Sequence, residues 1–190
     1  MIDNYINITA NQIKQINIDD LLDRKQIIID NPVVKREVVN KTIFVTGAAG
    51  SIGSEISRQL SRYKHKYLIL VDQAESALYE LQQELIQKEA QNFTTIVADV
   101  RDEERMELLF KQFTPQKVFH AAAYKHVPLM EDSPCEAVRV NVKGTKTIAD
   151  LSLKYKVERF VMVSTDKAVN PTNVMGATKR VAEMYISCLS

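Results

Sequence analysis

The chain has 190 residues, 45% of them hydrophobic, which is enough to bury the core of one globular domain and too apolar for a disordered chain. Its 25 basic and 24 acidic residues leave a formal charge of +1, so no overall field attracts it to nucleic acid or to a lipid surface. No apolar run approaches the roughly 18 residues of a membrane span, and the N-terminus lacks a signal-peptide layout. These features predict a soluble cytoplasmic chain that does not bind nucleic acid.

The two cysteines, Cys135 and Cys188, lie 53 residues apart and have no partner at the spacing of a metal site. Such sparse use of cysteine is typical of a reducing compartment. We therefore expect both thiols to pack as small hydrophobic side chains, and we expect no metal site.

Residues 1 to 40 mix isolated isoleucines with many Asn, Gln, Asp and Lys residues. This composition predicts an arm or linker that packs on something else, with a short helix at Asp19 to Arg24. We assign no chemistry to it.

The chain is organised around residues 41–53, KTIFVTGAAGSIG. The apolar run Ile43 to Val45 predicts a buried strand, and Gly47, Gly50 and Gly53 predict a tight turn that opens a helix whose first N–H groups face an anion. Asp72 follows 19 residues after Gly53, where a carboxylate can bind both ribose hydroxyls and repel a 2′-phosphate. The pattern predicts a dinucleotide site that favours NAD over NADP. The alternative is a glycine-rich turn without a ligand.

Beyond this turn, helical and strand patterns alternate, which is typical of a parallel sheet with helices on both faces. Apolar residues at helical spacing predict three helices, marked by Ile52, Ile56 and Leu60, by Leu78, Leu81 and Leu85, and by Met106, Leu109, Phe110 and Phe113 after an N-cap at Asp102. The strands after the first are predicted at 67–72, Phe93 to Val100, Lys117 to Ala121 and Arg159 to Ser164. Ser133 to Glu136 predicts a capping box that begins a long helix ending near Lys156, and a last helix begins near Asn173.

The predicted fold class is α/β, a doubly wound parallel sheet of strand order 3-2-1-4-5 that occupies residues 41–190. In such a sheet, ligands bind beyond the carboxyl ends of strands one, four and five. The third of these loops carries Thr165, Asp166 and Lys167, so a hydroxyl, a carboxylate and an amine are expected at the nicotinamide end of the dinucleotide. His120, inside the fourth predicted strand, is expected in the core. His65, ahead of the second, is expected at the surface.

Four stretches carry a family resemblance: TGAAGSIGSE, HAAAYKHVPLMEDSP, NVKGT and STDKAVNPTNVMGATKR. They are similar to the extended short-chain dehydrogenases/reductases, and within them to the UDP-N-acetylglucosamine 4,6-dehydratases of polysaccharide biosynthesis. The resemblance covers about Lys41 to Ser190. It implies a Rossmann domain that stops short of the substrate domain, because relatives continue for more than a hundred residues.

The resemblance implies a reaction in which bound NAD oxidises sugar C4, a base removes the C5 proton, water leaves C6 and the hydride returns there. By position, Asp166 resembles the acid at the C6 hydroxyl, Lys167 the base at C5, and Thr165 the group that orients the C4 oxygen. A lysine base must be neutral, and we expect partial burial beside Lys179 to favour that form. The alternative is an exposed turn in which Asp166 and Lys167 form a surface ion pair.

One departure from the superfamily pattern is Met175, which stands where a Tyr-x-x-x-Lys motif has its tyrosine base. A thioether accepts protons poorly, so the C4 base stays open among Asp166, Lys167 and a water held by Thr165. The same methionine occurs in the long, membrane-linked dehydratases of this type. The resemblance lets Lys179 bridge the nicotinamide ribose hydroxyls; a solvated helix lysine is the alternative.

The remaining expected site residues follow from the matched motifs. Asn141 is placed as a structural and cofactor-loop residue, and Asp99 either faces the adenine or only ends its strand. Lys125, His126 and Asn170 are expected to contact substrate, although a structural role is the alternative for the first two. The expected cofactor contacts are Gly47, Ala49, Gly50, Ser51, Ile52, Gly53, Asp72, Asp99, Val100, Ala121, Ala122, Ala123 and Lys179.

The resemblance also bears on partners and location. It implies a UDP-sugar substrate, a homodimer or higher homo-oligomer, and, in a longer chain with the relatives' N-terminal membrane region, a place at the cytoplasmic face of the inner membrane. The competing functions are a dinucleotide-binding module without turnover and a UDP-sugar epimerase, although epimerases usually rely on the tyrosine that Met175 replaces.

Overall fold

The structure is a computed structural model that describes residues 32–189. The predicted helix at Asp19 to Arg24 lies outside the described residues. Within them, no helix combines the length and apolar character that a bilayer crossing requires.

The described chain alternates helices and strands almost throughout. The helices are α1 (Pro32–Val38), α2 (Ser51–Ser61), α3 (Glu75–Gln87), α4 (Glu103–Phe113), α5 (Val127–Asp132), α6 (Pro134–Ala137), α7 (Thr145–Lys154) and α8 (Val174–Cys188). A π-helical segment (Val138–Gly144) joins α6 to α7, and a 3₁₀ turn (Asp166–Ala168) precedes α8. The strands are β1 (Thr42–Thr46), β2 (Tyr67–Asp72), β3 (Phe93–Val97), β4 (Lys117–His120) and β5 (Arg159–Met162).

The five strands form one parallel sheet in the order β3-β2-β1-β4-β5, so the predicted fold class and strand order are confirmed. Strand β1 lies in the middle, where Val45 pairs with Leu70 of β2 and Phe119 of β4. Parallel strands buried on both faces read as continuous apolar runs, which is why β1 and β2 were recognisable in the sequence.

Alternate residues of the central strands belong to two separate hydrophobic cores, one on each face of the sheet. Ile43 and Val45 pack on one face with residues of α1 to α3, including Val38 from the segment that was expected to be an arm. Phe44 packs on the other face with α4 and α7, where it meets Phe110 at a ring-centroid distance of 5.1 Å. Because both faces are covered, the sheet edge at the carboxyl ends is the place where a ligand can reach the strands.

Two predicted helix starts are confirmed by their caps. The Asp102 carboxylate accepts the Arg105 N–H at 2.9 Å, and the Asn173 side chain accepts the Gly176 N–H at 2.8 Å. The strand ends were predicted too long: β3, β4 and β5 end at Val97, His120 and Met162, because the chain turns into ligand-facing loops there.

The predicted capping box at Ser133 is wrong. Pro134 does begin a helix, but the Ser133 side chain caps nothing, and the Glu136 carboxylate accepts hydrogen bonds from Arg101 and Arg139 instead. Long-range ion pairing outcompetes the local cap here. The long helix was also predicted as uninterrupted, whereas the structure inserts the π-helical segment into it.

Several predicted burials are also corrected. Cys135 and Cys188 are both exposed rather than packed, because each lies on the outer face of its helix. His65 is buried, not at the surface, since its loop folds under the sheet. Ile52 is 55% exposed and leaves the predicted apolar stripe. His120 is fully buried, as expected.

Candidate active site

The glycine-rich turn after β1 is as tight as the sequence predicts. Gly47 has a φ of +66°, and a Cβ there would lie 2.4 Å from the backbone nitrogen of Ala122. A Cβ on Gly53 would lie 1.9 Å from the Gly47 carbonyl oxygen, so α2 packs directly on the turn. A Cβ on Gly50 would meet nothing nearer than 3.3 Å. Gly47 and Gly53 therefore build the turn, whereas a Cβ on Gly50 would make one tight contact, with the Gly47 carbonyl oxygen, and no overlap.

The start of α2 is prepared for an anion. Gly50 is its N-cap and has no side chain to bond the first-turn N–H groups of Ser51, Ile52 and Gly53. Those groups carry the partial positive charge of an 11-residue helix. A phosphate oxygen is the partner that such a helix start binds best.

Asp72 stands at the end of β2, beside this turn. Its two carboxylate oxygens accept the Ala49 N–H and the Ala74 N–H, each at 2.9 Å. These bonds fix the carboxylate and leave it further lone pairs toward the adjoining cavity. The predicted ribose contact is sterically open.

The first cavity measures about 210 Å³. It lies beyond the ends of β1, β2 and β4, and several predicted cofactor contacts line it: Gly47, Ala49, Gly50, Asp72, Asp99, Val100, Ala121, Ala122 and Ala123. The rest of its wall includes Gln73, Ala74, Ala98 and Tyr124. The alanines give this cavity an apolar surface, and Asp72 and Asp99 supply its carboxylates. This combination suits a nucleoside.

Asp99 reaches this cavity but is already bonded. It accepts the backbone N–H of Arg101 and the Arg101 Nε–H, each at 2.8 Å, and Arg101 continues to Glu136. Burial by itself would raise the pKa of Asp99, but the bonds from Arg101 outweigh it and lower the pKa. Asp99 is therefore an ionised, fixed wall of the cavity.

A second cavity of about 340 Å³ adjoins the first and shares Gly50, Ala121, Ala123 and Tyr124 with it. Its other walls come from the α2 start, the β4 loop, the β5 loop and α8, and they include Ser51, Ile52, Gly53, Lys125, Thr165, Lys167, Met175 and Lys179. The structure thus brings the three predicted loops together. The two cavities form a path from Asp72, past the α2 start, to Lys167.

Thr165, Asp166 and Lys167 are linked by direct bonds. The Thr165 hydroxyl donates to Asp166 Oδ1 at 2.9 Å, and Lys167 Nζ lies 3.3 Å from the same oxygen. The bond from Thr165, then the bond and charge of Lys167, lower the pKa of Asp166. The Lys167 side chain is half-buried, at 48% exposed, in the cavity that Lys179 also lines, whereas the Asp166 side chain is 86% exposed.

Lys179 lies inside the wall rather than at the surface. It is 4% exposed, and its Nζ donates to the Val163 carbonyl oxygen at 2.8 Å. Burial lowers the pKa of Lys179, and the charge of Glu183 offsets part of that effect. Met175, one helical turn earlier, is 3% exposed and packs with Met130 and Ala137. The superfamily tyrosine position is thus filled by a packed apolar side chain.

A buried polar chain that the sequence did not reveal supports the loop after β4. Thr145 donates its hydroxyl proton to the Asn141 carbonyl oxygen at 2.7 Å, so it accepts from His120 Nε2 at 2.9 Å. His120 Nδ1 must then accept from the Thr46 hydroxyl at 2.7 Å. The Asn141 side chain closes the chain by holding both the N–H and the C=O of Tyr124, at 2.8 and 3.0 Å. Burial keeps the His120 ring neutral, and these bonds hold it in one tautomer.

Burial, with a smaller contribution from the charge of Lys179, lowers the pKa of His120 to about 3. The segment around Asn141 is π-helical, which turns its side chain inward to the Tyr124 backbone. The only sequence signal for this series of hydrogen bonds was the presence of His120 and Asn141.

Gly176 is a further residue whose role the sequence analysis missed. A Cβ there would lie 2.2 Å from the Lys167 carbonyl oxygen, so α8 packs against the 3₁₀ turn that carries Lys167. The available signal was a glycine near the start of a helix, a place where glycine is unfavourable without a packing reason.

The three expected substrate residues are not brought together. Lys125 lines the second cavity, whereas His126 and Asn170 line neither cavity. His126 is the N-cap residue of α5 but makes no side-chain cap, and Asn170 has a φ of +47° in an exposed turn.

The site's chemistry follows from these contacts. The glycine turn and the α2 start fit a pyrophosphate, and the two flanking cavities have room for two nucleoside ends. The second cavity is lined by the Lys167 amine, which bonds the exposed Asp166 carboxylate beside it. In the described part of the chain, no group of three or more His, Cys, Asp or Glu residues is arranged to hold a metal ion.

Comparison with known proteins gives a consistent result. A family model described as polysaccharide biosynthesis protein matches residues 43–190. The capsular polysaccharide biosynthesis protein CapD of Staphylococcus aureus is 48% identical over 95% of this chain and 31% of that protein. A UDP-N-acetylglucosamine 4,6-dehydratase (inverting) of Campylobacter jejuni is 33% identical over 75% of this chain and 42% of that enzyme.

A similar solved structure is the UDP-glucose 4-epimerase of Thermus thermophilus in complex with NAD. It has a TM-score of 0.69 and 26% identity, and the match covers 77% of this chain and 50% of that one. The chain thus spans less than half the length of the two curated relatives above.

Proposed function

The chain belongs to the polysaccharide biosynthesis protein family, within the extended short-chain dehydrogenases/reductases, and from this we propose that it carries the NAD-binding and proton-transfer part of a nucleotide-sugar 4,6-dehydratase. The proposed substrate is UDP-N-acetylglucosamine or a similar UDP-hexosamine, as in the dehydratase of Campylobacter jejuni. The product enters surface polysaccharide synthesis.

One observation carries the proposal: a lysine that lines the cavity adjoining the glycine turn bonds an exposed carboxylate at the rim of that cavity. Lys167 Nζ and Asp166 Oδ1 are 3.3 Å apart, and Lys167 lines the same cavity as Gly50 and Ser51. A 4,6-elimination needs one base at C5 and one acid at the C6 hydroxyl. These two groups are the pair that such a reaction uses.

The proposed dinucleotide is NAD. Asp72 would bind its adenosine ribose and repel a 2′-phosphate, and the N–H groups of Ser51, Ile52 and Gly53 would hold its pyrophosphate. When bound, NAD supplies a hydride acceptor for sugar C4 and a donor of the same hydride to C6. Lys179, held at the Val163 carbonyl, would fix the nicotinamide ribose.

The acid and base roles require one proton to move within the pair. In the structure Asp166 is an ionised carboxylate beside a lysine amine. If the lysine proton passes to Asp166 Oδ1, Lys167 becomes a neutral base for the C5 proton and Asp166 becomes an acid for the departing water. The Thr165 hydroxyl, which donates to the same Oδ1, is then released to orient the C4 oxygen.

This transfer is unfavourable in water. The ordinary pKa values of lysine and aspartate side chains differ by about 6.5 units, which corresponds to about 9 kcal/mol. Desolvation reduces this penalty because it disfavours the charged forms of both groups. Substrate seated over the pair would provide that desolvation, and the nicotinamide charge would further favour a neutral lysine.

Met175 cannot act as the C4 base, since it is buried and a thioether accepts protons poorly. The proposed C4 base is the Asp166–Lys167 pair or a water held by Thr165. The missing tyrosine also argues against epimerase chemistry, despite the fold shared with the Thermus thermophilus epimerase.

The experiment follows the sugar by proton NMR. The protein is incubated with NAD and UDP-N-acetylglucosamine, and a new C6 methyl signal is the expected product. Lys167→Ala should abolish that signal with NAD affinity unchanged, whereas Lys111→Ala, an exposed charge on α4, should leave it unchanged. Full turnover by Lys167→Ala would remove Lys167 from the mechanism.

A second candidate function is a dinucleotide-binding module without turnover. It is favoured by the exposure of Asp166, because an 86% exposed carboxylate beside lysine stays charged. NAD binding with unchanged sugar in the same experiment would support the module and exclude the dehydratase activity for this chain.

A further inference from the structure

A third, larger cavity lies at the opposite edge of the sheet from the glycine turn; we call it the amino-terminal cavity. It measures about 550 Å³ and is lined by the connections that lead into β1, β2 and β3: Asn40, Arg58, Ser61, Arg62, Tyr63, Lys64, His65, Lys88, Glu89, Ala90, Gln91 and Asn92. Since all five strands are parallel, this amino-terminal edge cannot share a ligand with the site around Lys167. Small-molecule sites commonly have about this volume.

The walls of this amino-terminal cavity are fixed by the fold. The Asn40 N–H donates to the Lys64 carbonyl oxygen at 2.9 Å, and the Leu68 N–H donates to the Asn92 carbonyl oxygen at 2.9 Å. Asn40, Glu89 and Asn92 have φ values of +58°, +56° and +54°, so the chain reverses direction at each of them. These bonds tie the three connections together, and the cavity is a built concavity rather than a gap between loose loops.

The lining of the amino-terminal cavity is strongly basic. Arg58, Arg62, Lys64 and Lys88 contribute four cations, and Glu89 is the lining carboxylate. Arg58 and Lys88 both bind Glu84, at 2.9 and 2.6 Å. Among residues 32–189, Arg62 and Lys64 have no ion-pair partner. The cavity therefore keeps an unneutralised positive charge.

Helix geometry explains only part of this charge. Arg62 and Lys88 are the C-cap residues of α2 and α3, where cations interact favourably with a helix end of about half a negative charge. Lys64 lies beyond the helix, so the same effect does not account for it. Glu55 also pairs with Arg58 at 3.6 Å, so Arg58 and Lys88 are matched by glutamates, and, of the residues that the structure describes, the unpaired cations of the cavity are Arg62 and Lys64.

His65 gives an independent sign of a missing partner. Its ring lines the amino-terminal cavity and is 6% exposed, and its Nδ1 is the buried side-chain polar atom of the described residues that has no hydrogen-bond partner. A buried polar atom without a partner is destabilising, and native proteins rarely leave one. His65 Nδ1 is closed to solvent in this conformation, so a polar ligand in the cavity becomes its partner when the ring turns toward the cavity.

We propose that the amino-terminal cavity is a second binding site, for a small ligand that carries a phosphate or pyrophosphate group. Arg62 and Lys64 would bind the phosphate oxygens, with the Arg58 and Lys88 charges behind them. Tyr63 offers an aromatic wall for the rest of the ligand. The site is separate from the dinucleotide site and does not depend on the proposed reaction.

The test uses the 190-residue chain and inorganic pyrophosphate as the probe. Amide ¹H–¹⁵N NMR at low salt should show saturable shifts at Lys64, His65 and Asn92, with a dissociation constant below about 1 mM. The double variant Arg62→Ala/Lys64→Ala should weaken these shifts at least tenfold. The control Lys66→Ala/Lys111→Ala removes two exposed charges outside the lining and should stay within twofold of wild type.

Three results would overturn the proposal. The first is equal weakening of pyrophosphate binding in the test and control variants, which would show that binding depends only on the total charge of the protein. The second is unchanged binding in Arg62→Ala/Lys64→Ala. The third is a set of shifts confined to Gly50 and Ser51, which would place pyrophosphate at the glycine turn alone.

Discussion

Two alanine substitutions in the glycine turn separate its structural role from its binding role. In Gly53→Ala the new carbon would lie 1.9 Å from the Gly47 carbonyl oxygen, where real contacts stay above 3.0 Å. Helix α2 would have to move by at least about 1 Å to relieve this overlap. Overpacking of this kind costs about 3 kcal/mol, which lowers the Tm of a chain of this size by about 6–12 °C.

Gly50→Ala is the matched comparison. Its new carbon would lie 3.3 Å from the nearest atom, and the φ of −69° at Gly50 suits alanine. The change from glycine to alanine at an N-cap costs about 1 kcal/mol at most, so the Tm falls by about 2–4 °C. The methyl group would enter the space beside the first-turn N–H groups, so the affinity for NAD should fall more than tenfold.

The assay pairs differential scanning calorimetry with isothermal titration of NAD. The expected pattern is a Gly53→Ala protein that loses both stability and binding, and a Gly50→Ala protein whose main loss is binding. Wild-type affinity for NAD in Gly50→Ala would refute the proposed binding of pyrophosphate at the start of α2. Wild-type stability in Gly53→Ala would refute the packing of α2 on the turn.

Three further predictions test the supports of the site. Asn141→Ala leaves the N–H and C=O of Tyr124 without partners and should cost about 2–4 kcal/mol in urea unfolding; a loss smaller than about 1 kcal/mol would contradict that role. His120 stays neutral when folded, with a pKa of about 3, but takes up a proton near pH 6.5 when unfolded, so lowering the pH from 7 to 5 should remove about 2 kcal/mol of stability. His120→Asn should show a shallower pH dependence, and an equal slope would exclude His120 as the cause. Gly176→Ala pushes a carbon to 2.2 Å from the Lys167 carbonyl oxygen, so it should lower the Tm and reduce methyl-product formation more than tenfold; wild-type activity would show that the 3₁₀ turn tolerates displacement.

The sheet and the glycine turn were predictable because their causes are local. The apolar runs at 43–45 and 67–71 are largely β-branched or aliphatic, since both faces of the strands are buried. Gly47 and Gly53 are required by contacts within the turn itself or with the adjoining β4 loop. Strand order then followed from the rule for doubly wound sheets.

The errors arose where distant contacts decide the outcome. Ser133 and Glu136 match a capping box, but Arg101, 35 residues away in sequence, takes the Glu136 carboxylate. His65 is buried because its loop is held between Asn40 and the start of β2, which no local pattern shows. Tertiary contacts override local preference in both cases.

The contact between the proposed acid and base was predictable, but their surroundings were not. The sequence placed Lys167 near Asp166, and the structure agrees at 3.3 Å. The 3₁₀ turn buries Ala168 and leaves Lys167 half-buried and Asp166 exposed, a difference that the sequence does not show. The chain that orients the nearby loop, from Thr46 through His120 to Asn141, joins three separated segments and has no sequence signature.

The most direct test of the account is a crystal structure of this chain with NAD. The account predicts pyrophosphate oxygens within hydrogen-bonding distance of the Ser51 to Gly53 N–H groups, adenosine ribose at Asp72, and the nicotinamide ring in the cavity lined by Thr165 and Lys167. A nicotinamide ring bound away from Thr165 and Lys167, or a pyrophosphate away from the start of α2, would contradict it.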